Sequence, residues 1–264
     1  MRASRGGELN ATEDELIARG TAMLERAGVE SPGADARVLF EHAARSSARG
    51  IERSAVGLFE RRARREPLAY IVGSCSFRGL ALMVDRRVLV PTEHRTGALV
   101  EAALDQAAGA QLHEVGTGSG AVALAVKNER PDLEVSASDI SPSAVEVARE
   151  NARRLGLDVE ISEADGLPPG DFDLVLANLP YTDTDQTTQR LPPEEARFQP
   201  GVALWAGEDS LALIRNLISQ APPGTLLALE HAPHHASEMR RILREARTLL
   251  DARGDERVTL GRAP

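Results

Sequence analysis

Between Leu112 and Ala177 the chain offers four short apolar runs, Leu112–Val115, Leu133–Ser138, Asp158–Ser162 and Phe172–Ala177, with helical stretches between them. Parallel strands cannot be joined by a tight turn, so this order predicts crossover helices and an open, mostly parallel sheet of the α/β class. Ligands of such sheets gather at the carboxyl ends of the strands. The residues that follow each run are therefore the ones to examine.

The first run enters Glu114-Val115-Gly116-Thr117-Gly118-Ser119-Gly120-Ala121 and then a helical stretch through Lys127. Glycines let the backbone turn tightly and approach a ligand, and the free N–H groups of the next helix favour an anionic group. The second run ends in Asp139, about twenty residues on, where a carboxylate can accept both hydroxyls of a ribose. Alone, this pattern suits a dinucleotide dehydrogenase nearly as well as a methyltransferase. The third run leads to Ala164-Asp165-Gly166, placed to meet an adenine, and no catalytic Lys or Tyr-x-x-x-Lys pair follows downstream. That division of tasks fits S-adenosylmethionine better than NAD.

The fourth run ends in Asn178-Leu179-Pro180-Tyr181. A planar NH2 group conjugated to a carbonyl or a ring is a poor nucleophile, so a site that alkylates it must hold both N–H bonds and expose the lone pair. The side-chain carbonyl of Asn178 and the backbone carbonyl of Leu179 are two suitable acceptors. Tyr181 supplies a flat apolar wall, and Pro180 stiffens the turn. An ordinary strand end followed by a Pro turn is the bland alternative.

A chain of 264 residues with 42% hydrophobic side chains can bury a core, which 3% aromatics leave mostly aliphatic. Cys75 is the single cysteine, so neither a disulfide framework nor a cysteine-based zinc site is expected. The net charge of −9 argues against stable nucleic-acid binding, and its excess falls in residues 71–264. Arg61, Arg62, Arg64 and Arg65 form the densest basic cluster, read either as a surface for an acidic or RNA-bearing partner or as a solvated helix end. His231, His234 and His235 lack a third ligand of suitable spacing, and no metal site is expected. No secretory leader or membrane-spanning run is found, which points to a cytoplasmic protein.

Residues 11–65 carry helical patterning, with Thr12-Glu13-Asp14-Glu15 as a cap and a break at Ser31-Pro32-Gly33. Residues 67–91 read as a β-hairpin through Tyr70–Gly73, Phe77, Leu80–Val84 and Val88–Val90. The stretch Tyr181–Ala203 has little apolar periodicity and suits a substrate lid, while Trp205 is taken as a packing residue. Residues 248–252 and 257–261 should form a terminal antiparallel pair. The expected domains are 1–66, a 67–91 linker, and 92–264.

A series of motifs in order resembles the HemK/PrmC protein-(glutamine-N5) methyltransferases. The series is Glu66–Gly73 with Phe77 and Gly79-Leu80; Glu114–Gly120; Asp139-Ile140-Ser141 with Ala144 and Asn151-Ala152; Asn178–Tyr181; Arg197–Pro200 with Ala203-Leu204; and Arg257–Arg262. The resemblance implies a class I, Rossmann-like S-adenosylmethionine-dependent methyltransferase sheet, a small N-terminal helical domain for substrate recognition, and a β-hairpin linker. It implies a monomeric enzyme whose partner is a class I peptide-chain release factor. By position, Gly116, Thr117, Gly118, Ser119 and Gly120 would hold the methionine end of the cofactor, Asp139 its ribose, and Asp165 and Gly166 its adenine. Asn178, Pro180 and Tyr181 would be catalytic, with Asn178 also bordering the cofactor and Leu179 and Phe77 joining them at the substrate. The family carries Asn-Pro-Pro-Tyr where this chain has Leu179, and Arg followed by an acid-Thr-Glu stretch where it has Thr92–Gly97. Two other readings stand beside this one: methylation of another protein or of a nucleic-acid base amino group, and a cofactor-binding protein without catalysis.

Overall fold

The computed structural model of this protein describes residues 12–46, 50–183 and 191–264. Its contacts divide the chain into two units, Met1–Gly73 with Pro192–Phe198, and Ser74–Leu191 with Gln199–Pro264.

In the first unit, helix α1 (Glu13–Arg26) starts at a capping box. The Thr12 hydroxyl accepts the Glu15 N–H at 3.3 Å, and the Glu15 carboxylate accepts the Thr12 N–H at 2.8 Å. Two donors that the helix cannot satisfy internally are thereby paired. Helix α2 (Pro32–Ser46) opens on a proline, whose missing N–H is no loss in a first turn, and α3 (Ile51–Ala63) follows. Leu24, Leu39, Ala43, Ala55 and Phe59 form a core with no solvent exposure. The segment read as the start of a hairpin is instead the short helix α4 (Leu68–Val72), closed by Gly73 at φ 79°. A run of apolar residues between Pro67 and that glycine is equally compatible with one helical turn, and the left-handed glycine decides in its favour.

The basic cluster is neither a free surface nor a solvated helix end. Arg62 is buried and donates to Asp35 at 2.7 Å and Glu194 at 2.9 Å. Arg65 grips both oxygens of Glu194, at 2.7 and 2.8 Å, and donates to the Gly28 carbonyl. Arg61 makes the same two-pronged bond to Glu66. Burial tends to raise the Glu194 pKa, but its bonds to Arg65 and Arg62 outweigh that and hold it below the ordinary value. Of the four arginines, Arg64 is exposed.

The second unit opens with the antiparallel pair β1 (Ser74–Phe77) and β2 (Leu80–Met83), with Phe77 facing Leu80. Arg78 and Gly79, at φ 48° and 76°, make the two-residue turn that matches strand twist. Helix α5 (Glu93–Leu104) leads to β3 (Gln111–Val115), α6 (Ala121–Glu129), β4 (Glu134–Asp139), α7 (Pro142–Leu155), β5 (Glu160–Glu163) and β6 (Leu174–Ala177). The short β7 (Thr182–Asp183) pairs with β8 (Trp205–Gly207), and between them lie α8 (Pro193–Phe198), which belongs to the first unit, and α9 (Gly201–Leu204). Helix α10 (Ala212–Gln220), β9 (Leu226–Glu230), α11 (Ala236–Ile242), β10 (Arg244–Leu250) and β11 (Glu256–Arg262) complete the unit.

Seven strands form one sheet in the order β10-β11-β9-β6-β3-β4-β5. The five strands β9, β6, β3, β4 and β5 run parallel, while β11 and β10 add an antiparallel edge. All four residues of β6 are buried, as a strand covered on both faces requires. Asn151 on α7 joins three parts: it exchanges two hydrogen bonds with the Met83 backbone, at 2.7 and 3.0 Å, and donates to the Ser119 carbonyl at 2.9 Å. Among the described residues no helix is long and apolar enough to cross a membrane.

Phe77 was expected at the substrate. It lies wholly inside the core with Leu82, Leu99 and Leu124, because the pleat of β1 turns it inward. Phe77→Ala should therefore cost about 3–5 kcal/mol of stability, measured by urea unfolding.

Candidate active site

The glycine turn after β3 is fastened from several sides. The backbone N–H groups of Gly116 and Thr117 both donate to the Ser138 carbonyl, at 2.8 and 3.0 Å. Gly118 donates to Asp139 Oδ2 at 2.8 Å, and Ser141 donates to Asp139 Oδ1 at 2.9 Å. Asp139 thus joins the end of β4 to the turn. Gly116 and Gly120 have φ 76° and 82°, and a Cβ on Gly116 would stand 2.9 Å from Leu179 Cδ2. That close approach brings the fourth strand end against the first.

Glu114 is sequestered below the turn. Its Oε2 accepts from the Thr117 hydroxyl at 2.7 Å and from the Ala123 N–H at 2.9 Å. Burial is the main reason its pKa is pushed up to about 7; these two bonds oppose the shift and the Asp139 charge adds to it. Sequence reading quoted Glu114 within a motif but gave it no task.

Asn178, Leu179 and Pro180 are half-buried and line one cleft of about 370 Å³ with Gly116, Thr117, Gly118, Ser119, Asp139, Asp165 and Gly166. Gly120 borders the turn from the first position before α6 and does not line the cleft. Tyr181, the next residue, does not line the cleft; its hydroxyl donates to Glu230 Oε1 at 3.2 Å. Burial and the neighbouring Glu230 push its phenol well above the ordinary range, so it remains an O–H donor.

The cleft also takes residues to which the motifs gave no task. Ile140, Val202 and Leu213 are large apolar side chains left exposed, and all three line it. Trp205, taken as a packing residue, lines it too. Val202 and Ala203 fall at the end of the stretch read as a lid, with Trp205 just beyond it; residues 184–190 of that stretch lie outside the described residues. The exposure of Ile140, Val202 and Leu213 shows only in the fold, so no local sequence signal marks them.

The histidines serve the framework. His231 bonds the Ala232 carbonyl at 2.9 Å and the Thr259 hydroxyl at 2.8 Å, and His235 bonds Ser210 at 3.0 Å. Among the described residues no group of three or more His, Cys, Asp or Glu side chains could hold a metal ion.

A cleft at the carboxyl ends of parallel strands, with a glycine turn that lets a ligand approach the backbone, a carboxylate on the next strand and an apolar flank, suits a charged nucleoside with an apolar ring system. The "Methyltransferase small domain" family model matches residues 94–194. The hMettl16 catalytic domain superposes with a TM-score of 0.56 at 14% identity, covering 70% of this chain and 76% of that one. The fold is that of the class I methyltransferases, whose methyl donor is S-adenosylmethionine.

The chain is 37% identical to the release factor glutamine methyltransferase of Deinococcus radiodurans, over 94% of this chain and 97% of that protein. Proteins of the same name from Xylella fastidiosa and Vibrio cholerae are 36% and 34% identical, over 94% and 96% of this chain and 97% of each relative. The protein belongs to the release factor glutamine methyltransferase family.

Glu114 gives a pH test of the framework. Its folded pKa of about 7 exceeds the ordinary 4.5, so the folded state keeps a proton that the unfolded state has released. The stability that this proton contributes is full below the unfolded pKa and is lost as pH rises through the folded one. Glu114→Gln should raise the melting temperature relative to wild type at pH 8 and change it little at pH 4, measured by calorimetry across that range.

Proposed function

We propose that this protein transfers a methyl group from S-adenosylmethionine to the side-chain amide nitrogen of a glutamine in a class I peptide-chain release factor. The observation that carries the reading is the junction of the two strand ends. Leu179 packs against Gly116, so the amide-binding tetrapeptide and the glycine turn share one cleft.

Residues 116–120 and Asp139 would hold the methionine end and ribose of the donor, with Asp165 and Gly166 beside its adenine. Ile140 and Leu213 supply apolar surface for a flat ring. When bound, the donor supplies an electrophilic methyl carbon. The Asn178 carboxamide and the Leu179 carbonyl accept the two N–H bonds of the glutamine amide, which turns its nitrogen lone pair away from both acceptors. Pro180 and Tyr181 confine the planar group. As the amide nitrogen takes the methyl carbon, the bond from that carbon to the donor's sulfur would break to leave a neutral thioether, the surplus amide proton would pass to water, and the enzyme needs no covalent intermediate. Catalysis rests on positioning, which can supply several orders of magnitude.

The Leu179 carbonyl remains available although the residue is not a proline. Its backbone angle is held instead by the packing of its side chain beside Val115 and Ala177 and over Gly116. The reading includes a monomer that holds no nucleic acid stably, in keeping with the net charge of −9.

Asn178→Ala should abolish transfer of labelled methyl to a purified release factor while leaving donor affinity within a few-fold by calorimetry. Unchanged transfer would remove the amide clamp, and label on nucleic acid in cell extract would replace the protein acceptor. Asp139→Ala should weaken donor binding by roughly 1.5–3 kcal/mol, the contribution of a hydrogen bond to a charged group. Equal affinity in the same titration would dismiss Asp139 as the ribose acceptor.

A further inference from the structure

Glu230 is the last residue of β9, 1% exposed, and no role has yet been given to it. Ala177 pairs with Leu229 across β6 and β9, so Glu230 stands beside Asn178 at the same sheet edge. Its Oε1 accepts the Tyr181 hydroxyl at 3.2 Å, and Thr96 of α5 adjoins the carboxyl. Oε2 has no hydrogen-bond partner among the described residues. Arg257 on β11 is near, yet its guanidinium is directed to Asp251 at 3.2 Å and to the His231 carbonyl at 3.5 Å. A buried carboxyl with an unpaired oxygen is costly, and packing alone gives no reason to place one there.

We propose that Glu230 is a positioning residue for methyl transfer: its carboxylate holds the Tyr181 phenol, and through it the ring that walls the acceptor amide. The inference rests on the glutamine-methylating function proposed above and adds a control on that same site. Tyr181 stays protonated, so it needs an acceptor, and a carboxylate is a stronger acceptor than a carboxylic acid. Protonation of Glu230 therefore loosens the ring. Burial raises the Glu230 pKa to about 7, opposed by Thr96, the Arg257 charge, Tyr181 and the Arg95 charge. These groups, from α5, β11 and the end of β6, are the polar and charged neighbours that face the carboxyl; the adjoining His231 ring is turned to Ala232 and Thr259. Ring fixation, and transfer with it, should fall as pH drops through neutrality.

The chain has two tyrosines, Tyr70 and Tyr181, so the ring can be followed without any substrate. The experiment is carbon NMR of the full-length protein with ring-labelled tyrosine, titrated from mildly acid to mildly alkaline pH, with Tyr181→Phe giving the assignment. The Tyr181 resonance should titrate with a midpoint near that of Glu230 in wild type and lie flat in Glu230→Gln. In parallel, Glu230→Gln should lower kcat for release factor methylation about tenfold, the scale of one charge-assisted hydrogen bond. It should remove the acid limb of the pH profile and leave the donor KM unchanged. Added to Tyr181→Phe, it should cost nothing more, because both changes break one bond. A Tyr181 titration that persists in Glu230→Gln, or effects that multiply in the double variant, would overturn the proposal. If wild type methylates no release factor, the proposed acceptor fails, while the resonance titration still decides whether Glu230 governs Tyr181.

Discussion

The cleft exists because β3 and β6 lie side by side and parallel while the chain leaves them toward opposite edges of the sheet. From β3 it passes outward to β4 and β5, and from β6 it continues to β9. The crossing segments diverge at that junction, so the two strand ends have no element packed over both of them. The two motifs of the site meet at this reversal. The glycine turn follows one strand, Asn178 follows the other, and the contact of Leu179 with Gly116 is the seam between them. Shifting either strand by one residue would send alternate side chains to the opposite face and dissolve the arrangement.

Two carboxyl groups, Glu114 and Glu230, sit at that edge with little access to water. They differ in how the fold treats them. Glu114 has partners on the turn and on α6 and acts as a fastener. Glu230 is less well satisfied, having among the described residues no partner on one oxygen and a phenol on the other. A group held by two donors stiffens its surroundings, whereas one held by a single donor leaves them responsive to a proton. The rigid half of the site thus lies on β3, and the responsive half on β9.

Much of this was legible in the sequence because its signals are local. A strand, a glycine turn and a helix lie within Leu112–Lys127, and Asn178–Tyr181 directly follows the most apolar strand. The mostly parallel sheet could be expected from the alternation alone. What stayed hidden depends on distant residues meeting. Glu230, Thr96 and Arg257 come from three elements, and nothing in their local sequence separates a buried acid from a surface one. Phe77 was misplaced because its alternation with Leu80 and Leu82 does not say which face of the hairpin is covered. The arginine run was misread for the opposite reason: its density suggested a surface, while its partners Asp35 and Glu194 lie 27 and 132 residues from Arg62.

That last pairing bears on how this protein can be rebuilt. Since Glu194 is clasped by Arg62 and Arg65, the helical unit is discontinuous in sequence: its final helix is encoded between strands β6 and β9 of the sheet. A chimera that takes its helical unit from a relative by a single crossover near Gly73 would exchange the arginines and leave their carboxylate behind. Such a graft needs Pro192–Phe198 as a second transplanted piece, and the gene's boundaries do not coincide with those of the folded body.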